Sequence, residues 1–324
     1  MKKILVFSNG EKIGDGIIKL PLIYEINKRL PDYKIIWVTN LGTTVYKNQL
    51  KNISSQYIYQ IIEKANLKPF FWQKISTEYD FNNTYFEYIF DTQKSIYRTI
   101  ALKRIDCKHF ISASANGFFS TKKINIHKKN RNYYLDDLLN LLNLNKFKKR
   151  DLNFKIPIPI FLEEKLNNIF FENKKYIGLA PGAGEKNKIW PIEKFIELGK
   201  YYLQKKFNIV LYLGPNEINI KQKLVKIFPE AIIPEDLIKG SSNIEIVMGS
   251  TKFLSCAIAN DSGVSHMLST NHCFLVKLFG PKNSKKFTPK SKFLKTISSK
   301  EYNSEDVSTI PLDRVILEIN NLLK

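Results

Sequence analysis

Short apolar runs alternate with helix-length amphipathic runs, twice over along the chain, and this alternation restricts the fold more than any other feature. Lys3 to Phe7 reads as a buried strand, residues 9–16 as a loop, and Ile17 to Leu30 as a helix with apolar residues at 18, 22, 23, 26 and 30. Ile35 to Thr39 is a second strand, followed by a loop containing Gly42. Strand, loop, helix and strand in so few residues make a βαβ unit, which requires parallel strands. Tyr88 to Asp91 and Lys108 to Ser112 read as later strands with a helix over Ser95 to Arg104 between them, and Tyr133 to Leu144 is strongly amphipathic.

The character changes after Asn145. Lys146 to Asp151 is charged, and Pro157 and Pro159 interrupt regular structure. A helix over Leu162 to Phe170 then leads to a fresh strand at Tyr176 to Ala180. The second series continues as helix 192–205, strand 208–213, helix 217–227, strand 231–232, strand 253–258, helix 264–270 and strand 273–279. The expectation is an α/β chain of two Rossmann-like domains, 1–156 and 157–324, with parallel sheets facing across a cleft where ligands bind. The last helix, Leu312 to Leu323, can pack on either half.

Composition narrows the class. Of 324 residues, 44% are hydrophobic and 25% charged, as in an ordinary soluble globular chain. No apolar stretch approaches the roughly 20 residues that cross a bilayer. The apolar start is cut off by Asn9 to Lys12 after about four residues, too short for a signal peptide. Cys107, Cys256 and Cys273 lie far apart without a CxxC spacing, which fits a reduced, cytoplasmic setting and neither zinc nor a disulfide framework.

The net charge is +21, with +14 in residues 1–150 and +7 in the rest. Lys122, Lys123, Lys128, Lys129 and Arg131 stand close together. Such a field attracts nucleic acid, phosphorylated substrates or an anionic membrane face. A Lys-, Asn- and Ile-rich composition drawn from A/T-rich coding DNA explains the same charge without function.

Two loops are built for anions. Residues 259–266, Ala-Asn-Asp-Ser-Gly-Val-Ser-His, turn from an apolar run into a helix, where free backbone N–H groups and the helix dipole favour phosphate. Upstream, Gly178-Leu-Ala-Pro-Gly-Ala-Gly-Glu-Lys-Asn-Lys-Ile-Trp-Pro191 sets lysines beside a glycine-rich turn. In the first half, Gly14-Asp15-Gly16 stands at a helix start.

These segments carry a family resemblance. Ile13-Gly-Asp-Gly-Ile-Ile-Lys-Leu-Pro21, Asp91-Thr-Gln-Lys-Ser-Ile-Tyr-Arg98, Ala180-Pro-Gly-Ala-Gly with Lys188-Ile-Trp-Pro191, Asn260-Asp-Ser-Gly with His266, and Leu278-Phe-Gly-Pro281 occur in order from about residue 3 to about residue 290. Together they resemble glycosyltransferase family 9, typified by the ADP-heptose:lipopolysaccharide heptosyltransferases. The resemblance implies the GT-B architecture and an inverting, metal-independent glycosyltransferase. It would need no cofactor and would take a nucleotide-diphosphate sugar, expected to be ADP-linked with heptose as the default. The acceptor would be a lipopolysaccharide core or other glycan or glycolipid, reached at the anionic inner-membrane face; no nucleic acid is expected.

The resemblance assigns roles residue by residue. Asp15 becomes the base that takes the acceptor proton; the plainer reading is a cap for a helix starting at Gly16 or Ile17. Lys188, two positions before Trp190-Pro191, offsets charge on the departing diphosphate; the plainer reading is a solvated lysine, which Lys186 keeps. Asp261 accepts hydrogen bonds from sugar hydroxyls, while Ser262 and Gly263 offer N–H groups and His266 lies near the diphosphate. Gly182, Ala183 and Gly184 let backbone approach the anion. Glu217 reaches the ribose or base, or caps the next helix. Gly14, Gly16, Asp91 and Gln93 face the acceptor. His109, His127 and His272 are read as structural, and Pro21, Trp190, Pro191 and the Phe279-Gly280-Pro281 turn as packing.

Two departures stand out. Ala183 replaces the hydroxyl residue common in the first phosphate loop, and Glu235 to Ser250, where the base is usually held, is hard to match. A nucleotide-sugar epimerase or hydrolase of the same architecture is the nearest rival. Nucleic-acid binding rests only on charge and a 13% aromatic content, and a Rossmann dehydrogenase lacks its GxGxxG.

Overall fold

The computed structural model describes residues 2–70, 72–73, 79–122, 134–142, 156–215, 217–271, 273–281 and 293–324. Cα packing divides the chain into one unit over Met1–Phe154 and a second over Lys155–Lys324. Among the described residues no helix is long and apolar enough to cross a membrane.

The first unit runs β1 (Lys2–Ser8), α1 (Ile13–Arg29), β2 (Tyr33–Thr39), α2 (Lys51–Ser54), β3 (Ile58–Ile62), β4 (Phe86–Asp91), α3 (Ile96–Leu102), β5 (Cys107–Ser112) and α4 (Tyr134–Asn140). All strand pairs are parallel, in the order β3-β2-β1-β4-β5. The chain therefore reverses direction of strand addition between β1 and β4, and the loops leaving these two strands share one edge of the sheet. Leu5, Phe7, Ile36, Val38, Phe86, Ile89 and Phe110 of the strands bury against Leu102 and Ile105.

The second unit repeats the plan with α5 (Ile160–Asn167), β6 (Lys175–Ala180), α6 (Ile192–Gln204), β7 (Phe207–Leu211), α7 (Ile218–Ile227), α8 (Pro234–Leu237) and α9 (Asn243–Ser250). It continues with β8 (Cys256–Asn260), α10 (Gly263–Leu268), β9 (Leu275–Phe279), β10 (Leu294–Ser298) and α11 (Leu312–Leu322). Its parallel sheet has the order β10-β9-β8-β6-β7, which places the reversal between β6 and β8. Val315, Ile319 and Leu322 of α11 join this unit's core with Trp190, Phe195, Leu198 and Leu278. The expected strand at 231–232 is reduced to one parallel bridge between Val210 and Ile232.

Several elements differ from their sequence reading. α1 starts at Ile13 rather than Ile17, with Lys12 as its N-cap. Gly14, Asp15 and Gly16 are therefore in its first turn, and Asp15 is not the cap. Gly16 is needed inside the helix because a Cβ there would lie 2.3 Å from the Val45 side chain.

The strand expected over 253–258 begins only at Cys256 and is preceded by a 3-10 turn, Thr251–Phe253. Here Ser250 and Thr251 donate their hydroxyls to the carbonyls of Val247 and Met248, and Phe253 stacks on Phe170 at 4.9 Å. β3 and β10, both edge strands, and α9 were not foreseen; α9 had a legible start, since the Ser242 hydroxyl accepts from the Glu245 N–H at 3.2 Å. His127, His272, Lys123, Lys128, Lys129 and Arg131 lie outside the described residues.

Candidate functional site

In the second unit, four loops at the carboxyl ends of the strands come together. Asn260, the last residue of β8, is fully buried. Its amide donates to the Pro181 carbonyl at 2.7 Å, and its side-chain oxygen accepts from the Trp190 N–H at 3.2 Å. One side chain thus ties both ends of the loop after β6 to the end of β8. The loop after β7 closes in from the other side, where the Glu217 carboxylate accepts from the Gly214 N–H and occupies the space a Cβ on Gly182 would need, 1.8 Å away. The turn after β9 completes the ring, because a Cβ on Gly280 would meet the Asn187 carbonyl at 2.8 Å.

The residues singled out for donor binding are placed as follows. Gly182 and Glu217 touch as described. Ala183 is half-buried, and Gly184 and Gly263 are exposed with open space at their Cβ positions. Lys188 closes a 3-10 turn and is 4% exposed; its ammonium pairs with Glu185, whose side chain is 58% exposed. Asp261 is engaged with protein, since its Oδ1 lies 2.9 Å from the ammonium of the buried Lys277 on β9. The Ser262 hydroxyl oxygen is buried with no hydrogen-bond partner, which in a native fold asks for an explanation. His266 is half-buried on α10. Trp190 is core, its indole N–H donating to the Ile310 carbonyl at 2.9 Å.

In the first unit, Asp15 is exposed in the first turn of α1 and makes no hydrogen bond or ion pair among the described residues. The turn itself is fixed, since the Tyr46 hydroxyl donates to the Gly16 carbonyl at 2.7 Å. Gly14 is half-buried in that turn. β1 and β4 are neighbours, with Phe7 opposite Asp91, and Thr92 donates both its N–H and its hydroxyl to the Phe7 carbonyl. Asp91 itself is turned inward and fully buried. Its carboxylate accepts from Thr99 Oγ1 at 2.7 Å, Ser112 Oγ at 2.8 Å and the Gln93 N–H at 2.9 Å. Burial pushes its carboxyl up to about 6, against those hydrogen bonds and the nearby Arg98 charge. Gln93 is the half-buried member of the pair and accepts from Arg98 at 3.3 Å.

Sequence reasoning passed over three charged residues. Glu11 and Lys19 form a buried ion pair of 2.9 Å flanking Asp15, and Lys277 holds Asp261. A signal existed for each: Lys19 interrupts the apolar face of α1, and Lys277 interrupts an apolar strand, positions where a lysine needs a partner. Among the described residues no three His, Cys, Asp or Glu side chains are grouped as metal ligands would be.

Comparison with known proteins places this arrangement. Residues 105–313 match the model of glycosyltransferase family 9 (heptosyltransferase). The chain is 25% identical to lipopolysaccharide heptosyltransferase 1 of Campylobacter coli over 287 residues, 83% of this chain and 81% of that protein.

Among solved structures, a glycosyltransferase family 9 protein from Veillonella parvula superposes with a TM-score of 0.71 at 16% identity, over 99% of this chain and 97% of that one. The E. coli heptosyltransferase WaaC with ADP superposes with a TM-score of 0.67 at 15% identity, over 99% of both chains. The fold class is the GT-B type of these enzymes, two Rossmann-like units in one chain. From the family match over most of its length, this chain belongs to glycosyltransferase family 9, the heptosyltransferase family, and is a glycosyltransferase.

Proposed function

We propose that the protein is an inverting, metal-independent heptosyltransferase that moves heptose from an ADP-linked donor to a lipopolysaccharide core acceptor. The observation that carries this reading is the convergence of the loops after β6, β7, β8 and β9 around Asn260, with glycines at the points of closest approach. That is where a doubly wound sheet takes a nucleotide. WaaC, of the same fold, has been solved with ADP and with ADP-2-deoxy-2-fluoro heptose.

In this reading the second unit holds the donor. Gly182, Ala183, Gly184, Ser262 and Gly263 offer backbone to the diphosphate, and the unpartnered Ser262 hydroxyl gains a partner there. Glu217 meets the ribose. Asp261, with Oδ1 held by Lys277, has its second oxygen left to accept from a sugar hydroxyl. Lys188 exchanges Glu185, whose exposed carboxylate can turn into solvent, for the diphosphate. Its fixed charge then stabilises the leaving group without a metal ion. His266 lies on the helix behind these loops.

The first unit supplies the base. Asp15 takes the proton of the acceptor hydroxyl as that oxygen attacks the anomeric carbon and the bond to the diphosphate breaks, which inverts the configuration. Gly14, Gly16 and Gln93 line the acceptor side, with Asp91 holding the Gln93 backbone. The basic first half suits an acceptor bearing phosphates or carboxylates at the cytoplasmic face of an anionic membrane.

The test is Asp15→Ala: ADP should bind as before while transfer from ADP-heptose falls by orders of magnitude, and full turnover would sink the assignment. A binding screen of ADP, UDP and GDP checks the base, with ADP expected to bind tightest.

A further inference from the structure

A lysine four residues after an aspartate on a helix is that aspartate's natural ion-pair partner, with the acidic residue on the favourable N-terminal side. Asp15 and Lys19 of α1 have this spacing. They do not pair. The Lys19 ammonium is turned inward, 2.9 Å from Glu11 Oε1 and 2.9 Å from the Ser8 hydroxyl oxygen, and stands 5.9 Å from the centre of the Trp37 ring. The Lys19 and Glu11 side chains are 3% and 0% exposed.

Glu11 is held in turn. Its other oxygen accepts from the Trp37 indole N–H at 3.3 Å, and its backbone N–H donates to the Thr43 carbonyl at 3.1 Å. The preceding Gly10 has φ +125° and lies so close to Gly42 that a Cβ would approach its Cα to 2.8 Å. The loop from Ser8 to Lys12 is therefore a fixed cradle, and Asp15 is left without a partner among the described residues.

We propose that Glu11 is a positioning residue for the transfer reaction, one that keeps the Lys19 ammonium buried beneath the loop and thereby off Asp15. This rests on the reading of Asp15 as the base. A base must be unpaired to take a proton: an ammonium beside it favours the ionised form and weakens its basicity, and also occupies the oxygen that the acceptor hydroxyl must reach. On an open helix the Asp15–Lys19 pair would gain little, and the buried contacts of Lys19 to Glu11 and Ser8 outweigh it. The charged residues on this loop and helix turn beside Asp15 are Glu11, Lys12 and Lys19.

The proposal predicts an asymmetry that a purely structural ion pair does not. Glu11→Gln and Lys19→Met each break the same buried pair and cost similar stability. Only Glu11→Gln releases the lysine toward Asp15. With ADP-heptose and a lipid A core precursor, kcat should fall at least about 10-fold in Glu11→Gln, with the KM for ADP-heptose little changed, and stay within about 3-fold in Lys19→Met. The double variant should return to the level of Lys19→Met. Equal losses in the two single variants, no loss in either, or a double variant as poor as Glu11→Gln would overturn the proposal.

A second measurement needs no turnover. In crystal structures, the Lys19 ammonium should lie within ion-pair distance of the Asp15 carboxylate in Glu11→Gln and should stay on Glu11 and Ser8 in the parent. A Lys19 ammonium that stays buried beside Ser8 in Glu11→Gln overturns the proposal. A Lys19–Asp15 pair together with an active Asp15→Ala would overturn only the role of Asp15 as base.

Discussion

Lys277 of β9 reaches beyond the end of β8 to place its ammonium 2.9 Å from the Asp261 carboxylate, both side chains being less than a tenth exposed. The pair neutralises an acidic group at a loop proposed to meet a diphosphate. Removing one member of such a pair leaves an uncompensated charge, at a cost of roughly 3–5 kcal/mol, whereas removing both is often close to neutral. Lys277→Met should therefore destabilise the second unit by about that much, and Asp261→Asn combined with Lys277→Met should recover most of it. Urea denaturation of the two variants tests this; a double variant no more stable than Lys277→Met would show that the charge is not the issue.

Asn260 is a second case of one side chain doing two jobs. Asn260→Ala leaves the Pro181 carbonyl and the Trp190 N–H without their partner, each costing about 1–3 kcal/mol where buried. The variant should lose stability of this order and bind ADP more weakly, because the loop after β6 loses both its ties. Calorimetric titration of ADP alongside denaturation measures both. Unchanged ADP affinity would separate the loop from the donor site.

Gly182 and Gly184, two positions apart, give a contrast. Gly184→Ala enters open space and should change stability by less than about 0.5 kcal/mol. Gly182→Ala drives a methyl into the Glu217 carboxylate, the movable end of a side chain, so the fold should survive while Glu217 leaves its place. ADP affinity is expected to fall in Gly182→Ala. Adding Glu217→Ala to Gly182→Ala should cause little further loss, since the two changes remove one arrangement.

Asp91 gives a pH signature. Its folded carboxyl is raised to about 6 from an ordinary 3.8, so its ionisation opposes folding. The stability it contributes is fully present below about pH 4 and is lost as pH rises through about 6, amounting to roughly 3 kcal/mol. In Asp91→Asn the amide can donate to the Thr99 hydroxyl, which then donates to the Ser95 carbonyl it already reaches at 3.0 Å. The variant should fold and show a flatter stability curve from pH 4 to pH 6, measured by denaturant midpoint at each pH. Glu235, pushed up by burial to about 7 with one carboxyl oxygen unpartnered, contributes in an overlapping window, and the difference between variant and parent isolates Asp91.

Elements with strong periodicity were legible in the chain. β1, β2, β4, β6 and α6 fall within one or two residues of their expected ends, because a buried parallel strand is a continuous apolar run and an amphipathic helix repeats every 3.6 residues. The edge strands β3 and β10 escaped because one side of an edge strand has no neighbour to select for apolar residues; Tyr59 and Gln60 are exposed. The start of β8 was misplaced by three residues because Ser250 and Thr251 use hydroxyl-to-backbone bonds to form a turn that an apolar pattern does not record.

The site divides the same way. Motif order alone led to the family and to the loops that meet in the second unit, since glycines and turn residues are punctuation that survives in one dimension. Which polar groups are occupied was decided only by tertiary structure. Asp91, read as facing the acceptor, is buried under three hydrogen bonds; Asp261 is half committed to Lys277; and Lys19 is committed to Glu11 in place of the aspartate one turn away. Sequence determines which charges a chain carries and how far apart they are along a helix or strand. The partner each one takes depends on burial, where an unpaired charge is costly enough to outweigh any local preference.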